Sequence, residues 1–106
     1  MIDIKKGTRI IERIPIKTHT ITINSANIIE VEVGTNGLRG GDIGHGSRTY
    51  FRFKDCAATY MQIKVLSEGE FELELCGDTE LETFTEALEF SLKMLNASKE
   101  QGTAPA

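Results

Sequence analysis

A chain of 106 residues, 40% apolar and 26% charged, has the length of one domain and the composition of a folded one, which excludes two independent cores and a disordered chain. A formal charge of −4 excludes a general nucleic-acid coat, whose affinity comes from an excess of Lys and Arg facing phosphates. No stretch approaches the roughly 20 apolar residues of a membrane span, and MIDIKKGTRI holds no signal-peptide core, so a cytoplasmic protein with no membrane contact is expected.

The net charge hides an asymmetry. Residues 1–17 carry Lys5, Lys6, Arg9, Arg13 and Lys17 against Asp3 and Glu12, whereas nine carboxylates and no base lie between Lys64 and Lys93. Such local patches decide what a surface attracts. Cys56 and Cys76 stand 20 apart and match no zinc or paired-thiol spacing, so they are expected to be separate thiols, with no structural metal and no cofactor.

In chain order, Arg9 to Ile16 reads as a strand with Ile10, Ile14 and Ile16 on one face and Pro15 marking an edge. His19, Ile21 and Ile23 then alternate with Thr18, Thr20 and Thr22 in the period of two that defines a strand. Asn24 to Asn27 reads as a turn. Ile29, Val31 and Val33 alternate with Glu30 and Glu32 up to Gly34. Beyond a long loop, Thr49, Phe51 and Phe53 are assigned to the core face, and Arg48, Tyr50, Arg52 and Lys54 to the opposite one. Asp55 to Thr59 connects to a hairpin, in which Met61, Ile63 and Val65 lead through Ser67-Glu68-Gly69 to Phe71, Leu73 and Leu75.

At Gly77-Asp78-Thr79-Glu80 the period changes. A capping residue and a Glu-rich first turn predict a helix, with Leu81, Phe84, Leu88, Leu92 and Leu95 as the stripe that covers the sheet. Ala87, Phe90 and Met94 widen its apolar surface. Deeper burial is the favoured explanation, with a homodimer through Phe90 and Met94 as the other. The expected architecture is α+β: a mostly antiparallel sheet of about five to six strands with one C-terminal amphipathic helix on one face. Residues 1–97 form the domain, and 98–106 a flexible tail.

The unusual feature is the connection GTNGLRGGDIGHG, Gly34 to Gly46, which holds six of the chain's ten glycines. A hairpin needs only about 2 to 5 connecting residues, so a longer loop asks for a function. Successive amides and arginines here could hold a phosphate or nucleotide, although the spacing matches neither the P-loop nor the dinucleotide pattern. The candidate ligand-binding residues are Arg39, Gly40, Gly41, Asp42, Gly44, His45, Gly46, Ser47, Arg48, Tyr50 and Arg52. In that scheme Arg48 and Arg52 pair with phosphate, Tyr50 stacks and His45 donates a hydrogen bond. Tyr60 and Lys64 would join them if the next strand shares that face. Two competing readings are a catalytic set of Asp42, His45 and Ser47, and a basic strand that is no more than a solvated face with cross-strand ion pairs to Glu30, Glu32, Glu70, Glu72 and Glu74. His19 is expected to be a packed histidine.

The segment GGDIGHGSRTYFRFKD, followed by GDTELETFTEALEFSLKML, resembles a small family of uncharacterised proteins from Gram-positive bacteria and their phages. The resemblance spans Ile29 to Leu95 and is most specific over Gly40 to Phe53. It transfers no catalytic residue. It does imply a phage setting, in which small proteins sequester a host signal molecule or block a host protein. The expectation is therefore a non-enzymatic protein holding a small anionic ligand such as a nucleotide or cyclic nucleotide. The alternative is a protein-blocking or immunity-type module using the acidic hairpin and helix, and a phosphoester hydrolase comes third.

Overall fold

The computed structural model describes residues 4–24, 28–57 and 60–99. Four strands, β1 (Ile4–Ile11), β2 (Ile14–Asn24), β3 (Ile28–Thr35) and β4 (Thr49–Ala57), pair antiparallel in chain order. β5 (Met61–Ser67) and β6 (Glu70–Leu75) form a separate hairpin, and α1 runs from Asp78 to Lys99. The α+β class and all-antiparallel pairing are as expected, but six strands make two sheets rather than one. The short turn at Gly69, with φ 83°, closes β5 onto β6 locally. Neither strand of that hairpin pairs with the larger sheet.

The segment from Arg9 to Ile16 is not one strand. Glu12 and Arg13, at φ 45° and 72°, turn the chain between Ile11 and Ile14. Left-handed conformations at non-glycine residues cost about 1–2 kcal/mol each, and neither residue type advertises such a turn. Pro15 lies where β2 pairs with β1 alone, because the β2–β3 ladder begins at Thr18. The turn expected at Asn24 to Asn27 falls largely outside the described residues. Helix α1 includes Ser98 and Lys99, and the remainder of the expected tail is likewise outside them.

Register puts Ile21, Val31 and Phe53 side by side across three strands, with Ile23 and Ile29 paired next to them. Helix α1 packs over this face, mainly on β3, and the core gathers Ile21, Ile23, Val31 and Ala87 with Phe53 and Phe90 against them. The helix is rotated from the expected orientation. Its buried residues are Glu80, Thr83, Ala87 and Ser91, whereas Leu81, Leu88 and Leu92 are exposed. Bulky Ile and Val on the sheet leave room only for small side chains beneath a closely approaching helix. The Thr83 and Ser91 hydroxyls donate to the Thr79 and Ala87 carbonyls, at 2.8 and 2.7 Å, so their burial leaves no orphaned donor.

The opposite face is held by charge. Glu32, only 4% exposed, accepts both Nε and Nη2 of Arg9 (2.9 and 2.6 Å), the Thr18 hydroxyl (2.7 Å) and Nε of Arg52 (3.0 Å). Arg52 also donates to Glu30 at 2.6 Å. Thr18 stands directly across from Gly34, where an added Cβ would meet the Lys17 carbonyl and come within 2.8 Å of Thr18 Cγ2. Arg9 holds the Glu32 carboxyl down to about 2 from its ordinary 4.5, with Thr18 and Arg52 adding to the effect and burial opposing it.

A depressed carboxyl stabilises the fold above its unfolded pKa, and that contribution disappears as pH falls through the folded value. Replacing Glu32 with Gln should therefore lower stability at pH 7 by about 2–3 kcal/mol in urea titrations. The gap between wild type and variant should close as pH falls from about 4.5 towards 2. A constant gap across that range would rule out ionised Glu32 as its source.

Candidate functional site

The glycine-rich connection between β3 and β4 is hydrogen-bonded across its base. Asn36 bridges it, donating through Nδ2 to the Gly46 carbonyl (2.9 Å) and accepting the Arg48 amide at Oδ1 (2.8 Å). The Ser47 hydroxyl donates to the Gly37 carbonyl at 2.7 Å. The Leu38 amide donates to the Lys99 carbonyl at 3.0 Å, which fastens the loop to the end of α1. A single 3-10 turn, Ile43–His45, is capped by Asp42, whose carboxylate accepts the Gly44 amide, and ends at Gly46 with φ 94°.

Arg48 is part of this scaffold. Its Nε donates to the Ile11 carbonyl (3.2 Å), and its Nη1 donates to the carbonyls of Ile43 (3.1 Å) and Ser47 (3.0 Å). Arg52 is bound by Glu30 and Glu32. The Arg9 guanidinium covers the Tyr50 ring at 4.9 Å from its centroid. The residues assigned to phosphate pairing and stacking thus have structural partners on the sheet. Tyr60 and Lys64 do not join them, because β5 lies in the other sheet, where Lys64 pairs with Glu74 at 3.6 Å.

At the crest the situation reverses. The five amides of Arg39, Gly40, Gly41, Asp42 and Ile43 have no acceptor among the described residues, and Arg39 forms no ion pair there. Arg39 and His45 line a shallow depression of about 260 Å³ with Ile14, Pro15, Asn36 and Gly46. The His45 ring lies against Gly41, where a Cβ would collide with it, and His45 Nδ1 stands 3.4 Å from the Asp42 carboxylate. Ser47 has no bond to His45, so Asp42, His45 and Ser47 do not form a nucleophile–base relay. His19 is half-buried in β2, across from Lys6 and Val33. Cys56 and Cys76 are free, exposed thiols.

A second surface escaped sequence reasoning. The β5–β6 hairpin forms an arm whose cross-strand pairs Met61–Leu75, Ile63–Leu73 and Val65–Phe71 share an apolar face. Val65 is 79% and Phe71 68% exposed. At the arm's base the Cys76 amide donates to the Tyr60 carbonyl, and the Tyr60 amide donates to the Glu80 carboxylate on α1 (3.1 Å). On the body, Phe84 stacks 5.5 Å from Phe53, and Leu92 lines a cavity of about 290 Å³ with Thr49 and Leu95. The helix flank of Phe84, Leu88 and Leu92 therefore runs beside Phe53, Phe51 and Thr49 of β4 and forms an open apolar groove. Leu92 is 61% and Phe51 48% exposed. Each such side chain in water forgoes about 1.5–3 kcal/mol of burial. The signal was in the sequence: the Leu stripe of α1 sits one position from a second stripe of small residues, Thr83, Ala87 and Ser91.

Arg48 and Arg39 should separate in stability measurements. Arg48→Ala removes three bonds to carbonyls and should cost about 1–3 kcal/mol, with faster hydrogen exchange across residues 36–48. Arg39→Ala should stay within about 0.5 kcal/mol of wild type. Equal losses would show that Arg39 too is part of the scaffold.

Against known proteins the chain stands apart: no family model, no curated protein and no solved structure matches it.

Proposed function

We propose that the protein is a non-enzymatic binder of a small anionic ligand, of the phosphate or nucleotide class, and that it holds the ligand at the crest of the glycine-rich loop. One observation carries this reading: five successive amides, Arg39 to Ile43, have no acceptor among the described residues, beside an Arg39 guanidinium that has no ion pair among them. Convergent amides without a Cβ in the way make a concavity for an anion, and an adjacent guanidinium adds charge and two parallel donors. Gly40, at φ 90° and with open space where a Cβ would stand, leaves its backbone free for close approach by an anion. His45, at the rim of the depression, supplies a further donor.

Binding is favoured over turnover. The Ser47 hydroxyl is engaged by the Gly37 carbonyl, and Asp42 and His45 are both exposed. A reaction centre gains its strength by excluding water, and this crest does not exclude it. The protein would retain its ligand unchanged, as a sequestering protein does. The sheet arginines maintain the shape of the loop base and of β4 without touching the anion.

A thermal-shift series with inorganic phosphate, pyrophosphate, nucleoside triphosphates and cyclic nucleotides tests this. A ligand present at about 100 times its Kd stabilises the folded state by about 2.7 kcal/mol, roughly 10 °C for a domain this size. The shift should appear with wild type and disappear in Arg39→Ala, whose own melting temperature is unchanged. No shift with any of these anions, or a shift that survives loss of Arg39, would rule the site out.

A second reading, docking onto a protein, is favoured by the apolar face of the arm. A photo-crosslinking residue at Val65 should capture a protein in cells, and one at Glu12, on the far turn, should not. Absence of any adduct at Val65 would refute docking.

A further inference from the structure

The docking reading leaves the partner open, and two features of the chain name one. We infer that the partner is a second copy of this chain, each copy laying the apolar face of its β5–β6 arm into the groove between α1 and β4 of the other. The inference rests on the docking reading and adds the identity of the occupant.

The first feature is that donor and acceptor surfaces are both present on one chain. Ile63, Val65 and Phe71 form a projecting apolar strip, and Phe51, Leu88 and Leu92 form an apolar trough. The strip belongs to strands of 7 and 6 residues, about 20 Å long, and the trough follows two to three turns of α1. A foreign partner would need to supply a trough for the arm and an arm for the trough. A second copy supplies both at once, and mutual exchange about a two-fold axis closes the assembly with every strip and every trough filled.

The second feature is area. The chain exposes 7354 Å², whereas a folded monomer of 11.7 kDa exposes about 5,900 Å². The excess is about 1,500 Å² per chain, and half of it already equals the roughly 800 Å² that each partner buries in a standard interface. Phe90, named from the sequence as a dimer contact, packs on the core instead, and Met94 is half-buried. The exposed Leu88 and Leu92 take that role, each two residues from Phe90.

Light scattering after size exclusion, on the full chain at about 100 µM and in about 1 M NaCl, should return twice the 11.7 kDa chain mass, because an apolar contact survives screening. Phe71→Glu on the arm and Leu92→Lys on the groove should each raise the dimer dissociation constant at least about 100-fold while leaving circular dichroism and melting of the monomer intact. An equimolar mixture of the two variants should recover the dimer, since that pair retains one wild-type arm on one wild-type groove. A monomeric wild type, a dimer that survives both substitutions, or a mixture that stays monomeric would overturn the inference. The adduct at Val65 separates it from docking in general. An adduct at twice the chain mass supports exchange, an adduct of another mass overturns the second copy while docking stands, and no adduct overturns both.

Discussion

One buried carboxylate links every strand of the larger sheet. Glu32 on β3 accepts from Arg9 on β1, Thr18 on β2 and Arg52 on β4, so a single side chain gathers donors from each of the other three strands. A buried charge is costly unless it is paired and its lone pairs are satisfied, and both conditions are met here. Backbone ladders alone fix neighbours two at a time. This cluster fixes the register of the whole meander, because a slip of one residue on any strand would turn its donor to the other face.

The same cluster decides which cations are available for work. Arg52 faces two carboxylates and Arg9 covers Tyr50, so an anion arriving at this face would have to displace ionised glutamates already at short distance. Arg48, the last residue before β4, is bound by three carbonyls and acts as a clamp between β1 and the loop. At the crest, by contrast, Arg39 and the amides around Gly40 and Gly41 have no partner among the described residues.

Period two and period 3.6 made most of the elements legible. The Ile-Thr and Val-Glu alternations are β2 and β3, the Phe-Arg alternation is β4, and Gly77 marks the entry to α1 with φ 127°. Three things were not legible, each for a physical reason. The turn at Glu12-Arg13 lacks glycine and asparagine, so its left-handed backbone is imposed by the strands it joins. The rotation of α1 is set by side-chain size, since Thr83, Ala87 and Ser91 permit a close approach that leucines forbid. The separation of β5 and β6 depends on which strand edge a hairpin meets, which alternation cannot encode. In the candidate site, sequence located the loop correctly in the chain, but residue type could not say which arginines would be consumed by Glu30, Glu32 and the loop's own carbonyls.

Helix α1 is 22 residues long, about 33 Å from end to end. At its first turn the Glu80 carboxylate receives the Tyr60 amide from the arm, packed where a Cβ on residue 77 would have to be. At its last residue the Lys99 carbonyl receives the Leu38 amide from the loop. The helix thus spans from the base of the arm to the glycine-rich loop, and its length sets how far apart those two attachments lie.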